Sequence, residues 1–254
     1  MVKVFISAEQ INQGRAAVTG GDAHHLRAVL RKKPGDRVLI GVKDGAAEKA
    51  YESVIVSVEP EQIVCQLLDP VQARTESPLE TYLCQAVAKG DKMDLIIQKS
   101  VELGVTGIIP FFSRYTVVQL DGEKARQRQK RWQKIAEAAA KQCRRGAVPK
   151  VHEPLSFDDM AAALAKRPPD HLLVMPYEQE RRRSLADLRD RLREGPPKAV
   201  SIVIGPEGGF CPEEVDRVER INGEIITLGS RILRTETAAV AVLTLVQFIW
   251  GDLG

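Results

Sequence analysis

The chain has 254 residues, with 37 lysines and arginines against 34 aspartates and glutamates, a net charge of +3, and 44% hydrophobic residues. That length supports a sizeable core, as one domain or as a small domain beside a larger one. No run approaches the roughly twenty uninterrupted apolar residues of a membrane helix, and the segment around Lys3 has no apolar stretch of signal-peptide length, so a soluble, cytoplasmic protein without membrane contact is expected.

Residues 1–72 alternate short β-rich runs (2–7, 37–42, 51–58 and 62–68) with one small helix near 23–30, which reads as a small barrel. From Asp69-Pro70 to Glu76-Ser77-Pro78 the polar and proline content is that of a linker. The domain boundary is therefore drawn between residues 72 and 73. From residue 79 the pattern alternates strand and helix, as in α/β architecture: a strand at 80–87, a helix at 92–103 stopped by Gly104, and a strand at 107–112. Residues 73–254 form this second domain.

The stretch from Lys124 to Arg145 holds nine lysines and arginines and one acid, Glu137. It reads either as a solvated helix face or as a surface that tracks phosphates, with Trp132, Ile135, Ala138 and Ala139 as the core-facing stripe. A strand at 171–175 ends at Pro176. Residues 200–204 form a short, largely apolar, β-branched run suited to a buried parallel strand, which stops at Gly205-Pro206. Pro212 suits the first position of a helix, with Glu213 and Glu214 in its first turn and Val215, Val218 and Ile221 on its packing side. Asn222-Gly223 ends it. A strand at 224–228 follows, and Thr235 with Glu236 is expected to cap a last helix that buries Ala238, Val242, Leu245 and Ile249.

Two turns stand out: Ile204-Gly205-Pro206-Glu207-Gly208-Gly209-Phe210, and the segment from Leu228-Gly229-Ser230-Arg231 to Thr237-Ala238. Each joins a strand to a helix, so they are expected side by side at one sheet edge, where α/β proteins place ligands. Glycines at 205, 208 and 209 do not match Gly-x-Gly-x-x-Gly, and no Gly-Lys-Ser or Gly-Lys-Thr closes a phosphate loop. Glu207 would repel a phosphate on the same backbone amides, so a cationic or zwitterionic ligand suits the turn better. Cys65, Cys84, Cys143 and Cys211 lack Cys-x-x-Cys spacing, and His24-His25 lacks a third ligand at metal spacing. Neither a disulfide framework nor a metal site is indicated, and the cysteines read as buried thiols.

At these residues the chain resembles the knotted SPOUT methyltransferases, specifically the family that methylates N3 of a uridine in 16S ribosomal RNA. The resemblance spans the whole chain. It includes His24-His25-Leu26-Arg27-x-Val29-Leu30-Arg31 with Gly35-Asp36, the block 92–114 with Gln98-Lys99-x-x-Glu102-Leu103-Gly104, and Glu137-Ala138 with Gln142 and Arg145 before Pro149. It implies a PUA-like N-terminal barrel and a C-terminal α/β domain with a deep trefoil knot. It also implies an S-adenosylmethionine-dependent enzyme that acts on the small ribosomal subunit as a homodimer. Carried over residue by residue, the cofactor would be held at Met175 and Pro176, at Gly205, Pro206, Gly208 and Gly209, at Leu228, Gly229, Ile232 and Leu233, and at Thr237 and Ala238. His25, Arg27, Arg31, Arg126, Arg128, Lys130, Arg131 and Arg145 are the expected RNA contacts. Arg181-Arg182-Arg183 departs from the family pattern and is given no catalytic role.

Uridine N3 carries a proton, and its loss spreads negative charge onto the flanking carbonyls, where a guanidinium can stabilise it. Arg234 and Arg231 are the candidates. Glu207 is either a base or a tie for its own loop. Lys99 and Glu102, one helical turn apart, read as a stabilising pair. A ribose 2′-oxygen methyltransferase of the same superfamily would share the cofactor turns. A silent RNA-binding or ribosome-assembly protein would keep the basic helix and the barrel but need no intact turns.

Overall fold

The computed structural model describes residues 1–43, 49–71, 75–118 and 122–254, which fall into two compact units. The first comprises Met1–Glu76 with Ala140–Val148, and the second Ser77–Ala139 with Pro149–Gly254. The expected boundary at 72/73 lies outside the described residues.

The first unit is built on one six-stranded sheet of β1 (Lys3–Ser7), β2 (Ile11–Asn12), β3 (Arg15–Thr19), β4 (Arg37–Lys43), β5 (Lys49–Val58) and β6 (Gln62–Val71). The spatial order is β1-β4-β5-β6-β3-β2, antiparallel except for β1 on β4. Its core gathers Val4, Ile6, Ala16, Val18, Leu26, Val38, Ile40, Ile55, Ile63 and Cys65. Burial pushes the Cys65 thiol up to about 11, so it is an inert core residue.

Sequence pattern missed β2 and β3. Their hairpin turns on Gln13 and Gly14, both left-handed at φ 47° and 74°, but Gln-Gly is a weaker turn signal than Asn-Gly. β6 runs into the expected linker as far as Val71, with Pro70 opposite Tyr51. Pro70 lies beyond the stretch that pairs with β3, so its missing N–H costs no ladder bond there. The expected helix at 23–30 is α1 (Gly20–His24) continued by a π-turn over His25–Val29 that buries Leu26.

In the second unit the sheet is parallel throughout, in the order β10-β8-β7-β12-β11-β13, with β9 also on β8. Chain order runs β7 (Glu80–Ala86), α2 (Lys92–Glu102), β8 (Gly107–Phe112), α3 (Gly122–Gln142), β9 (Lys150–Val151), β10 (Leu155–Ser156) and α4 (Phe157–Leu164). It continues with β11 (His171–Pro176), α5 (Leu185–Arg191), β12 (Ala199–Ile204), α6 (Pro212–Arg220), β13 (Glu224–Ile226) and α7 (Thr235–Trp250). All six residues of β12 are buried, as for a parallel strand covered on both faces.

Four expectations are corrected here. β11 lies between β12 and β13, so the two glycine turns are not on neighbouring strands. Helix α7 buries Ala239, Val242, Leu243 and Val246, leaving Leu245 and Phe248 exposed, because the face is set by packing on α2, β7 and β12. Arg234 occupies its N-cap position without a side-chain cap, and Thr235 turns inward instead. On α3 Trp132 and Ala139 are buried as expected, but Ala136 and Ala140 complete the stripe in place of Ile135, which is half-buried, and Ala138, which is exposed.

At the amino-terminal ends of β11 and β12, His171 Nε2 lies 2.9 Å from Ser201 Oγ, and its ring stacks on Tyr82. Burial first, then the Arg167 guanidinium, lowers the His171 pKa to about 4.

Candidate active site

Three turns meet at the carboxyl ends of the parallel strands: Pro176, Tyr177 and Glu178 after β11, residues 205–210 after β12, and residues 227–234 after β13. With Lys92 at the start of α2 and Thr235 and Ala238 of α7, they line a cleft of about 530 Å³. That volume lies in the range of small-molecule sites.

The turn after β12 is held from below and from both sides. Phe210 is buried and stacks on Phe111, which fixes where the turn leaves the sheet. Gly209 N–H donates to Pro206 O at 3.0 Å, with Gly209 left-handed at φ 71°. A Cβ there would sit 2.8 Å from Glu178 Oε1, and one on Gly208 would sit 2.9 Å from Tyr115 Cβ. Gly208 is thus required by packing on Tyr115, and Gly209 by its left-handed backbone. Gly229 differs: at φ 104° it lines the cleft, and a Cβ on it would meet nothing within 4 Å.

Thr235 joins the turns together. Its hydroxyl donates to Gly205 O at 2.7 Å and accepts from Gln85 Nε2 at 3.0 Å, so the first turn of α7 is bonded to the ends of β12 and β7. Glu207 Oε1 accepts from Lys92 Nζ at 2.9 Å and from Lys89 N–H at 3.2 Å. Lys92 Nζ also lies 3.8 Å from Glu236 Oε2. Desolvation pushes the Glu207 carboxyl up, but the hydrogen bonds from Lys92 and the backbone outweigh it, and its pKa falls below the ordinary carboxylate value. A carboxylate held in this way is a poor proton acceptor and a good clamp. Burial, then the neighbouring Glu178, pushes the Tyr177 phenol up and keeps it neutral.

Arg231 and Arg234 line the same cleft, are exposed, and form no ion pair with a described residue. Pro176, Gly205, Pro206, Glu207, Gly208, Gly209, Leu228, Gly229, Ile232, Leu233 and Ala238 also line it, as expected. Met175 and Thr237 do not. Met175 is buried in the core beneath the strand end, and Thr237 is exposed on the first turn of α7 outside the cleft. Lys92, Tyr177, Glu178, Ile204, Phe210, Thr227 and Thr235 also line it and were not named as site residues from the sequence. Lys92 opens a block singled out in the sequence and Tyr177 follows Pro176 directly, but neither carries a motif of its own.

Of the expected RNA contacts, Arg126, Arg128 and Lys130 are exposed on α3 without ion pairs to described residues. Arg131 is exposed but paired with Asp94 of α2. His25 and Arg31 are exposed, and Arg27 is half-buried. Arg145 is a correction: its guanidinium is buried and paired with Glu76, whose carboxylate also accepts from the N–H groups of Gly146 and Ala147. It is a strut of the first unit, with no free face for a phosphate. Lys99 and Glu102 form the expected pair at 2.9–3.0 Å. Among the described residues no group of three or more His, Cys, Asp or Glu could hold a metal.

The cleft offers backbone groups, apolar side chains and a mixed set of charges, and has no lysine-closed phosphate cradle. These residues fit a zwitterionic ligand of nucleoside size such as S-adenosylmethionine. The class they define is the SPOUT-type α/β methyltransferase domain. Here α7 follows the edge strand β13 and returns to pack on α2, β7 and β12.

A Bacillus subtilis relative named ribosomal RNA small subunit methyltransferase E is 33% identical over 248 residues, covering 96% of this chain and 94% of its own. A structure of the enzyme of that name from Neisseria gonorrhoeae, bound to S-adenosylmethionine, aligns over 100% of both chains with a TM-score of 0.85 and 32% identity. A Legionella pneumophila protein crystallised with the same cofactor aligns over 99% of both, with a TM-score of 0.83 and 28% identity. An RNA methyltransferase domain model matches residues 75–247, and an RNA methyltransferase PUA domain model matches residues 18–68. The chain belongs to this RNA methyltransferase family, with a PUA-like domain preceding its methyltransferase domain.

Proposed function

We propose that the protein transfers the methyl group of S-adenosylmethionine to N3 of a uridine in 16S ribosomal RNA, in the cytoplasm, as a homodimer acting on the assembled small subunit. The observation that carries this reading is the placement of Arg231 and Arg234, unpaired among the described residues, on the cleft that the glycine turns build. When bound, S-adenosylmethionine supplies an electrophilic methyl group. The chain must align the acceptor nitrogen with it and balance the charge of the deprotonated base. A guanidinium that gains its partner only as N3 loses its proton favours the transition state over the ground state. Glu207 holds Lys92 and the turn in place, and the N3 proton passes to solvent.

Arg126, Arg128 and Lys130 support an extended anionic partner, since phosphate contacts accumulate over a large surface. Exposed Leu245 and Phe248 on α7 support a second copy of the chain as their cover. The test is to incubate the protein and the labelled methyl donor with unmethylated small subunits, and separately with free 16S RNA. Nucleosides from both are then analysed by mass, and the protein's mass in solution is measured by sedimentation. The expected results are 3-methyluridine, a strong preference for the subunit, and a dimer. A 2′-O-methylated nucleoside would transfer the acceptor to the ribose, and equal activity on a short oligonucleotide would remove the subunit from the reading.

A further inference from the structure

The turn between β11 and α5 presents Arg181, Arg182 and Arg183, three consecutive exposed arginines that form no ion pair with a described residue. The neighbouring elements are different: Arg191 pairs with Glu224, and Arg189 with Asp190. Of the two carboxylates within the turn, Glu178 faces the cleft beside Gly209 and Glu180 is occupied by backbone. Glu180 Oε1 accepts the N–H groups of Arg181 at 2.7 Å, Arg182 at 2.6 Å and Arg183 at 3.3 Å. A single acceptor drawing in three successive amides curls the chain tightly and leaves the three guanidiniums on its outside.

The turn is also pinned to the cleft. Tyr177 N–H donates to Ile226 O at 2.9 Å, and Thr227 N–H donates to Arg183 O at 2.7 Å, so both ends are bonded to the end of β13. Beyond it, Ser184 and Asp187 form a capping box that fixes the start of α5. Pro176, Tyr177 and Glu178 on one side and Thr227 on the other line the cleft itself. The arginines therefore stand at its rim on a short, preordered segment, where binding costs little further loop entropy.

We infer that Arg181, Arg182 and Arg183 form a phosphate clamp that grips the RNA backbone beside the nucleotide entering the cleft. Guanidiniums suit this ligand because their planar donor forks match phosphate oxygens. The inference rests on the RNA-methyltransferase reading of the cleft and adds to it a substrate-positioning surface.

The experiment compares the wild-type protein with R181A/R182A/R183A and with the charge-matched R193A/R217A/R220A. The control residues are exposed and lie after α5 and on the last turns of α6, toward the opposite ends of the strands. Affinity for small ribosomal subunits is measured between about 50 and 200 mM salt, with S-adenosylmethionine affinity and melting temperature as companions. The clamp variant is expected to bind subunits at least tenfold more weakly at the low-salt end. The slope of log K against log salt should flatten by about 2, roughly 0.7 for each phosphate lost. Cofactor affinity and melting temperature should not change, and the control should shift far less. An unchanged slope, an equal loss in the control, or a loss of cofactor binding overturns the clamp while leaving the parent reading in place. A wild-type protein that neither binds nor methylates ribosomal RNA overturns both.

Discussion

Replacing Thr235 with valine tests whether one buried hydroxyl holds the cleft together. Thr235 is 5% exposed and Gln85 fully buried, so both bonds of the hydroxyl lie out of water. Valine keeps the shape but strands Gly205 O and one N–H of Gln85, at roughly 1–3 kcal/mol for each unsatisfied group. Gln85 Nε2 retains its bond to Ala86 O at 2.9 Å, which puts its share at the low end. The sum is about 2–4 kcal/mol, and at roughly 2–4 °C per kcal/mol for a unit of this size the melting temperature should fall by about 4–16 °C. Because Gly205 and Thr235 both line the cleft, S-adenosylmethionine affinity measured by calorimetry should weaken several-fold as well. Thr235→Ser retains the hydroxyl and removes a methyl group, costing about 1 kcal/mol. Equal melting temperatures and affinities for the valine and serine variants would refute the role given to this hydroxyl.

Glu207→Gln should retain methyl transfer within tenfold in a nucleoside assay, since its lowered pKa suits a clamp; a loss of about 10²–10⁴ would make it the base after all. Arg234→Ala should lose most turnover while cofactor affinity stays within a few fold, because the charge it meets exists only as the reaction proceeds; a loss confined to cofactor binding would reassign it. Gly209→Val should abolish cofactor binding by calorimetry with the circular dichroism of the fold retained, through the left-handed φ and the contact with Glu178; unchanged affinity would place the cofactor elsewhere. His171 has a folded-state pKa of about 4, below its ordinary 6.5, so between those values the unfolded chain binds more protons. Stability should therefore fall as pH drops from about 6.5 to about 4, and His171→Gln should flatten that slope in denaturant titrations. An unchanged slope would mean that another group sets it.

The sequence by itself determined the local elements of the second domain, and the reasons are local. Val200 to Ile204 is apolar at nearly every position, Pro212 preorganises a helix start, and Asn222-Gly223 ends that helix, so the β12–α6–β13 boundaries follow from propensity and capping. The glycine turns were likewise legible, because left-handed or crowded backbone restricts the residue types allowed. Other features were decided only by the tertiary structure. Along α7 Val242 is buried as expected, but Ala239, Leu243 and Val246 are buried in place of Ala238, Leu245 and Ile249, since an all-round apolar helix does not say which face its partners will cover. Thr235 could cap its helix by residue type, yet Gly205 O and Gln85 lie within reach and take its hydroxyl instead. Arg145 matched the basic run around it, and Glu76, 69 positions away, withdrew it from solvent. Lys92, Glu207 and Glu236 are distant in the chain, and no periodicity links them. Parallel strand order brings their elements to one end of the sheet, and that proximity, which no local rule encodes, turns three separate charges into one cluster beside the cleft.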